Sequence, residues 1–198
     1  MTQGLEELLL GAVSVQGLLQ EKGWKFCFIG GVAIQRWGEP RFTRDIDLTL
    51  VTGFGNEEGF VDELLKGLRP RRPDARQFAL AHRVLLAQTL QGIDVDIALG
   101  ALPFEERTVA RATPWEVRSG SSLTTCSCED LLTHKVFAGR NLDWGDVERI
   151  LVRQHGKIDL IQVRAELAPL LDLKGQPEAM AKLDGLVATV QRRLRAEP

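Results

Sequence analysis

Apolar residues recur with the period of β-strands in the first half of the chain. Residues 26–29 form a short apolar run, and every second residue of the run 45–51 is apolar. Because successive strand side chains point to opposite faces, the second run predicts a strand with one buried face. Residues 84–90 and 93–97, joined by a glutamine-glycine turn, have the pattern of a β-hairpin. The first half therefore predicts a small β-sheet.

Apolar spacings of three and four residues predict helices on both sides of this sheet. An amphipathic segment at 5–19 precedes it, and we expect this segment to pack on the sheet. After the sheet, a helix start at Ser127 or Cys128 is followed by acidic residues in the first turn. Further helices are predicted from about Asp143, over 159–171 and over 177–194. The pattern predicts an α/β core over 1–126 and a helical region over 127–198 that packs on it.

Two aspartates, Asp45 and Asp47, share one face of the predicted strand 45–51. Their α-carbons are about 6 to 7 Å apart, so the carboxylates repel each other unless a metal, an arginine or protons neutralise them. Oxygen ligands suit Mg²⁺, which commonly shares its coordination with substrate phosphates. The simpler alternative is an exposed polar face. Asp94 and Asp96 likewise share a face of the second hairpin strand, and either can supply a third carboxylate.

The pair Gly30-Gly31 separates the first strand from a short predicted helix that begins near Val32. Glycines at such a junction allow positive φ and a close approach of the backbone to a ligand. The first N–H groups of the helix can then bind an anion such as a triphosphate. A plain tight turn is the alternative interpretation.

These residues carry a family resemblance. The stretch FIGGVAIQRWGEPRFTRDIDLTL, followed by GIDVDIALGALPFE and CEDLLTHKVFAGRNLDWGDVERIL, resembles the nucleotidyltransferase superfamily with the DNA polymerase beta fold. More closely, it is similar to bacterial AbiEii/AbiGii-type nucleotidyltransferases, many of which are toxins of toxin–antitoxin pairs. The resemblance runs from about Phe26 to about Leu151. It implies an α/β (α+β) fold with a small mixed β-sheet core and a C-terminal helical bundle.

The resemblance also implies roles for individual residues. The glycine pair would bind the nucleotide, and the two strand aspartates would bind metal. The third carboxylate would be Asp96, with Asp94 as its rival. Much of the superfamily has Gly-Ser where this chain has Gly-Gly, so a hydroxyl that would touch the phosphates is missing, although close relatives also have Gly-Gly. The later family signature of a lysine, an arginine and an acidic pair matches Lys135, Arg140, Asp143 and Asp146.

The basic residues near these motifs have alternative interpretations. Lys135 is expected to carry its charge over apolar packing towards the phosphates, as a catalytic and nucleotide-binding residue. Arg140, Asp143 and Asp146 either bind the nucleotide or form a capping and salt-bridge cluster at a helix junction. Arg41 and Arg44 flank the metal strand, where they either touch phosphate or balance carboxylate charge. We favour charge balance, because carboxylate clusters commonly recruit arginine.

The activity implied by the resemblance is transfer of an NMP group from a nucleoside triphosphate, such as ATP, to a hydroxyl. Two Mg²⁺ ions, or Mn²⁺ in their place, would be held by Asp45 and Asp47, with Asp96 completing the site and accepting the proton. Acceptors in the family include tRNA ends, proteins and small molecules. Three hypotheses follow: a toxin with a cognate antitoxin as partner, an enzyme that modifies a small molecule such as an antibiotic, and a non-catalytic nucleotide-binding module.

Charge and cysteine content limit the alternatives. The formal net charge is -2, so no overall basic excess indicates nucleic-acid binding. A local basic segment, 69–73 with Arg76, is either a grip on acceptor phosphates or, as we favour, an ordinary linker. Three cysteines give an odd count without a disulfide spacing, which favours a reducing, cytoplasmic location. The segment 5–19 has the features of neither a signal peptide nor a membrane span.

Overall fold

The computed structural model describes residues 3–196 and contains a mixed α/β arrangement, as predicted. The elements are, in chain order, α1 (Gln3–Glu21), β1 (Phe26–Phe28), α2 (Gly30–Trp37), β2 (Asp45–Val51), α3 (Glu57–Gly67), β3 (Arg69–Pro70), α4 (Ala75–His82), β4 (Val84–Gln88), β5 (Asp94–Gly100), α5 (Pro103–Ala110), β6 (Thr113–Arg118), β7 (Ser121–Thr125), α6 (Cys128–Ala138), α7 (Asn141–Arg153), α8 (Leu160–Lys174) and α9 (Glu178–Ala196).

One seven-stranded sheet has the order β3-β4-β5-β2-β1-β7-β6. It is mixed, because β2 pairs antiparallel with β1 and parallel with β5. The hairpin of β4 and β5 is antiparallel, as the sequence predicts. Both outer strands contain a proline, Pro70 in β3 and Pro114 in β6, and β6 has a register shift between Glu116 and Arg118. Proline lacks the N–H that a ladder requires, so its place in outer strands follows from its chemistry.

The core of the sheet unit lies on the face opposite the aspartates. Ile46, Leu48 and Leu50 of β2 and Val95 and Ile97 of β5 are fully buried. They join apolar side chains of α1, α3 and α4 in one cluster. Each such side chain contributes about 1.5 to 3 kcal/mol by leaving water. The register that buries these residues therefore also fixes the aspartates on the other face.

The chain divides into two compact units by its contacts. The first comprises residues up to 32 together with 42–126, and holds the whole sheet. The second comprises 33–41 together with the residues from 127 onward. A short piece that includes most of α2 thus belongs with the C-terminal helices.

In the second unit, α6 packs against α7 and α8, and α9 packs against α7 and α8. Ser127 caps α6 by accepting from the N–H of Asp130, which confirms the helix start expected at Ser127 or Cys128. The side chain of Asp159 caps α8 by accepting from the N–H groups of Ile161 and Gln162. An accepting side chain at these positions satisfies N–H groups that lack partners within the helix.

Several elements differ from the sequence expectation. The segment after α3, interpreted as a linker, contains the strand β3 and the helix α4. The helix α5 and the hairpin of β6 and β7 were not anticipated, and α2 begins at Gly30 rather than near Val32. Within residues 3–196, no helix has the length and apolar content needed to cross a membrane.

Candidate metal and nucleotide site

Three carboxylates converge where β2 and β5 run side by side. The parallel register places Asp45 beside Asp94 and Asp47 beside Asp96. One carboxylate oxygen from each of Asp45, Asp47 and Asp96 lies within 4.8 Å of the others. All three residues are partly buried. An all-oxygen donor set of this kind fits a hard divalent cation such as Mg²⁺ or Mn²⁺.

The first two residues of α2, Gly30 and Gly31, lie directly against the carboxylate of Asp47. Gly30 has φ +52°, and a Cβ built on it would lie 2.0 Å from Asp47 Oδ2. The next residue, Gly31, donates its backbone N–H to the same oxygen over 3.2 Å. Only glycine allows both the left-handed backbone and this close approach. Gly30 therefore brings the helix start against a candidate metal ligand.

Thr43 occupies the space that a side chain at position 31 would need. A Cβ built on Gly31 would lie 2.2 Å from Thr43 Oγ1. That hydroxyl donates to Asp45 Oδ1 over 3.0 Å, and Thr43 is buried. A serine at position 31 would displace this contact, which gives the Gly-Gly pair a steric reason. Sequence reasoning missed Thr43, although its place two residues before Asp45 on an extended segment puts both side chains on one side.

Asp94 and Asp96 share a guanidinium. Arg71 Nη1 lies 2.9 Å from Asp94 Oδ2, and Arg71 Nη2 donates to Asp96 Oδ1. Gln88 Nε2 donates to the other oxygen of Asp94 over 2.7 Å. The sequence left both aspartates open as the third carboxylate, and the structure brings Asp96 into the three-oxygen group.

The pKa values of these two aspartates move in opposite directions. The hydrogen bond from Gln88, helped by Arg71 and opposed by burial, lowers the pKa of Asp94. Burial raises the pKa of Asp96; Arg71 opposes that shift, while the neighbouring carboxylates of Asp45 and Asp94 reinforce it. Asp96 thus carries a proton more readily than Asp94, chiefly because burial disfavours its charged form.

In the second unit, the later signature residues form a buried ion network. Lys135 Nζ lies 3.0 Å from Asp143 Oδ1 and 2.9 Å from Asp146 Oδ2. Arg41 binds Asp146 through two hydrogen bonds of 2.8 Å each. Arg140 Nε donates to Asp143 Oδ2 over 2.7 Å. The contacts described for Lys135 are thus ion pairs with Asp143 and Asp146.

The pKa values of the two network aspartates reflect this pairing. Burial raises the pKa of Asp143, but hydrogen bonds from Arg140 and Lys135 outweigh it and hold the pKa below its usual value. For Asp146, burial likewise acts upward, and hydrogen bonds from Arg41 and Lys135 bring the pKa below normal. Both carboxylates are therefore held in the charged form by their partners.

The other arginines singled out from the sequence have local partners. Arg44 is exposed, with its guanidinium 5.6 Å from the ring centre of Phe42. In the basic segment, Arg72 pairs with Asp74 and Arg76 with Asp62. Arg71 contacts the acidic group, a connection that the sequence did not indicate because it depends on the pairing of β3 with β4.

Comparison with known proteins gives the family. The chain matches the model of the family described as "Nucleotidyl transferase AbiEii toxin, Type IV TA system" over residues 18–195. An antigenic nucleotidyltransferase-like protein from Paracoccidioides brasiliensis has a similar fold, with a TM-score of 0.51 at 16% identity over 89% of this chain and 91% of that one. Among curated proteins, no match was found.

Two further solved structures are more distant. The antibiotic-resistance factor ANT(2'')-Ia has a TM-score of 0.47 at 16% identity over 98% of this chain and 96% of that one. JHP933 from Helicobacter pylori has a TM-score of 0.47 at 13% identity over 98% and 94%. The family match covers nearly the whole chain and confirms the resemblance predicted from the glycine pair and the strand aspartates. The chain belongs to the AbiEii family of nucleotidyltransferase toxins.

Proposed function

We propose that this protein transfers an NMP group from a nucleoside triphosphate to a hydroxyl acceptor in a metal-dependent reaction. The observation that supports this most strongly is the convergence of one oxygen each from Asp45, Asp47 and Asp96 within 4.8 Å. Carboxylates this close repel one another, and a divalent cation relieves that repulsion. The family match supports the nucleotidyl transfer itself.

Asp45, Asp47 and Asp96 are the residues that would hold the metal, either two Mg²⁺ ions or Mn²⁺. Bound there, the ions would neutralise charge on the phosphoryl oxygens and lower the pKa of the attacking hydroxyl. Thr43 orients Asp45 through its hydroxyl, and the N–H of Gly31 orients Asp47. These contacts fix the carboxylates before any substrate arrives, which is what a preorganised site requires.

Asp96 is the proposed proton acceptor. The acceptor hydroxyl attacks the α-phosphorus, the bond from that phosphorus to the bridging oxygen breaks, and pyrophosphate leaves with the electron pair. The hydroxyl proton passes to Asp96. Burial raises the pKa of this carboxyl, which makes it a better base than Asp94, whose pKa is lowered.

The start of α2 is the proposed phosphate cradle. Gly30 and Gly31 leave the first turn without side chains. The N–H of Gly31 donates to Asp47 Oδ2, so the N–H groups proposed to approach an anion are the others of this first turn. Arg44, exposed two residues after Phe42, is proposed as a further phosphate contact. Lys135, Arg140, Asp143 and Asp146 stay proposed nucleotide-binding residues on the family pattern. Their described ion pairs are with one another, with Arg41 and, for Asp146, with Arg149, so we propose that their first role is to order the second unit.

The acceptor and the partner are proposed from the family. A toxin of this family acts on a cellular hydroxyl and is restrained by a cognate antitoxin. Candidate acceptors are tRNA ends, protein side chains and small molecules. These classes are separated by experiment, because base and acceptor selection depend on the shape of the pocket rather than on a motif.

A label-transfer assay tests the proposal. The protein is incubated with each α-labelled nucleoside triphosphate, Mg²⁺ or Mn²⁺, and separately with tRNA, total RNA and cell protein. We expect metal-dependent label on one acceptor class, and at least a hundredfold loss in Asp47→Asn, since a site ligand is removed.

The matched control is Asp74→Asn, which makes the same chemical change at an exposed residue paired with Arg72. It is expected to retain full activity. Equal label transfer by Asp47→Asn and the unsubstituted protein would remove Asp47 from the site, and absence of label with every metal and acceptor would contradict the proposed activity.

A further inference from the structure

Arg71 is held firmly at the end of the outer strand β3. The two residues before it, Arg69 and Pro70, pair with Gln88 and Ala87 of β4. The backbone N–H of Arg71 donates to Leu86 O over 3.1 Å, which continues this pairing. Its side chain is mostly buried. The backbone of Arg71 is therefore fixed relative to the sheet face that carries the acidic group.

The guanidinium of Arg71 crosses β4 to reach two aspartates of β5. Nη1 lies 2.9 Å from Asp94, and Nη2 donates to Asp96. Leu86 is opposite Asp96 and Gln88 opposite Asp94 in the β4–β5 register, so Arg71, Gln88 and both aspartates share one face. A fork of N–H donors is well suited to bridge two carboxylates in this way.

Asp96 therefore takes part in two interactions, one with Arg71 and one with the other two carboxylates of the acidic group. Its Oδ1 accepts from Arg71, and one of its oxygens belongs to the three-oxygen group with Asp45 and Asp47. A carboxylate has two oxygens, so it can keep its arginine while it binds a cation. The guanidinium and a bound divalent cation nevertheless repel each other at this separation. The contact with Arg71 that holds Asp96 in place is therefore expected to lower the affinity of Asp96 for a divalent cation.

We propose that Arg71 is a positioning residue that fixes Asp96 and, by competing with the divalent cation for that carboxylate, sets the metal affinity of the site. This inference rests on the proposed function of the acidic group as a metal site. In the metal-free protein Arg71 relieves the repulsion between Asp94 and Asp96. Asp94, whose other oxygen accepts from Gln88, gives Arg71 a second carboxylate partner besides Asp96.

The test measures Mn²⁺ binding without nucleotide, by titration calorimetry or by the loss of the free-ion electron paramagnetic resonance signal. In Arg71→Gln the side chain keeps a donor but loses its charge. We expect Mn²⁺ to bind more tightly by on the order of tenfold, as removal of a like charge from a partly screened site predicts. The Tm of the metal-free variant falls, and the rise in Tm on adding Mn²⁺ becomes larger than in the unsubstituted protein.

Two further variants make the result specific. Arg72→Gln removes the same charge at the adjacent residue, which pairs with Asp74, and is expected to leave Mn²⁺ affinity unchanged. Arg71→Lys keeps the charge and loses the fork, so its affinity should stay within about threefold of the unsubstituted protein. If Arg71→Gln does not fold, a tenfold change in Arg71→Lys would by itself contradict a charge-based mechanism.

The outcomes separate this inference from the proposed function. Absence of Mn²⁺ binding in the unsubstituted protein overturns the metal site itself. If Mn²⁺ binds and Asp47→Asn weakens it, the site stands. Unchanged or weaker Mn²⁺ binding in Arg71→Gln then overturns only the competition by Arg71.

Discussion

The carboxylates of Asp45, Asp47 and Asp96 face one another, with Arg71 bonded to one oxygen of Asp96, whereas Asp143 and Asp146 each face an ammonium and a guanidinium. Oxygens of the first group lie within 4.8 Å of one another. In the second, Lys135 contacts both aspartates, and Arg41 and Arg140 each bind one of them. Both groups include residues that the sequence resemblance singled out. The difference shows that cations of the chain neutralise the carboxylates of the second group, whereas the first group brings carboxylate oxygens close to one another.

The aspartates of the second group are also more deeply buried than Asp96 of the first. The side chains of Asp143 and Asp146 are 1% and 0% exposed, whereas that of Asp96 is 31% exposed. A buried carboxylate that loses its partner cation destabilises the folded protein, whereas a partly exposed carboxylate can exchange its partner for an ion from solvent. We therefore expect substitutions in the second group to affect folding, and those in the first to affect metal binding.

The largest effect is expected from breaking the buried network. Asp146→Ala removes one of the two carboxylate partners of Lys135 and the two hydrogen bonds from Arg41 to Asp146, and both cations are largely buried. We expect a loss of about 3 to 5 kcal/mol in the free energy of unfolding, measured by urea denaturation. Glu148→Ala on the same helix, which breaks an exposed pair with Arg193, should cost under about 1 kcal/mol. Equal losses in the two variants would contradict the buried network.

Gly30→Ala is expected to have the next largest effect, on the acidic group. The new Cβ would lie 2.0 Å from Asp47 Oδ2, at a backbone φ of +52° that alanine adopts at a cost. We expect about 1 to 3 kcal/mol of destabilisation and a loss of Mn²⁺ affinity, measured by urea denaturation and calorimetry. Gly17→Ala, in α1 with open space around the position, should instead be neutral or stabilising. Normal Mn²⁺ binding by Gly30→Ala would show that the contact with Asp47 is dispensable.

Low pH is expected to destabilise the protein by protonating the two aspartates of the second group, Asp143 and Asp146. The pKa values of Asp143 and Asp146 are below their usual value in the folded protein. Their ionised forms thus add stability that is present above the ordinary aspartate pKa, about 4, and is lost as the pH falls below it. Urea unfolding at pH 6 and pH 3.5 is expected to show a smaller loss for Asp143→Asn than for the unsubstituted protein. An identical acid loss in both would show that Asp143 does not contribute.

The smallest effect on stability is expected from Arg140, the solvent-exposed member of the buried ion network. Arg140 binds Asp143, but its side chain is 76% exposed. Such a pair is worth about 0 to 1 kcal/mol, so Arg140→Ala should change the urea midpoint little. The same variant is informative in turnover: a raised KM for the nucleotide with unchanged stability would assign Arg140 to nucleotide binding. An unchanged KM would leave Arg140 with the network alone.

Local patterns were enough to predict much of the sheet. Strand alternation placed Asp45 and Asp47 on one face because the period of two is a property of the backbone. The hairpin of β4 and β5 followed from its turn residues, and the helix start at Ser127 or Cys128 from the acidic residues of its first turn. Each of these signals lies within a few residues of the structure it specifies.

Contacts between strands that are distant along the chain could not be predicted from local sequence patterns. The choice between Asp94 and Asp96 depends on the register of β2 against β5, which are not adjacent along the chain. Arg71 reaches Asp96 only because a two-residue strand pairs with β4. Thr43 matters because the backbone at Gly31 comes unusually close. The helix α4 was hidden because the basic, proline-containing segment before it has the composition of a loop.

The prolines of the outer strands have a consequence for how other chains can attach. Pro70 and Pro114 each interrupt the row of backbone donors along one border of the sheet. A foreign β-strand needs an unbroken row to extend the sheet, so both borders discourage strand addition and the self-association that follows from it. Recognition of this protein through its side chains is therefore favoured over extension of its sheet.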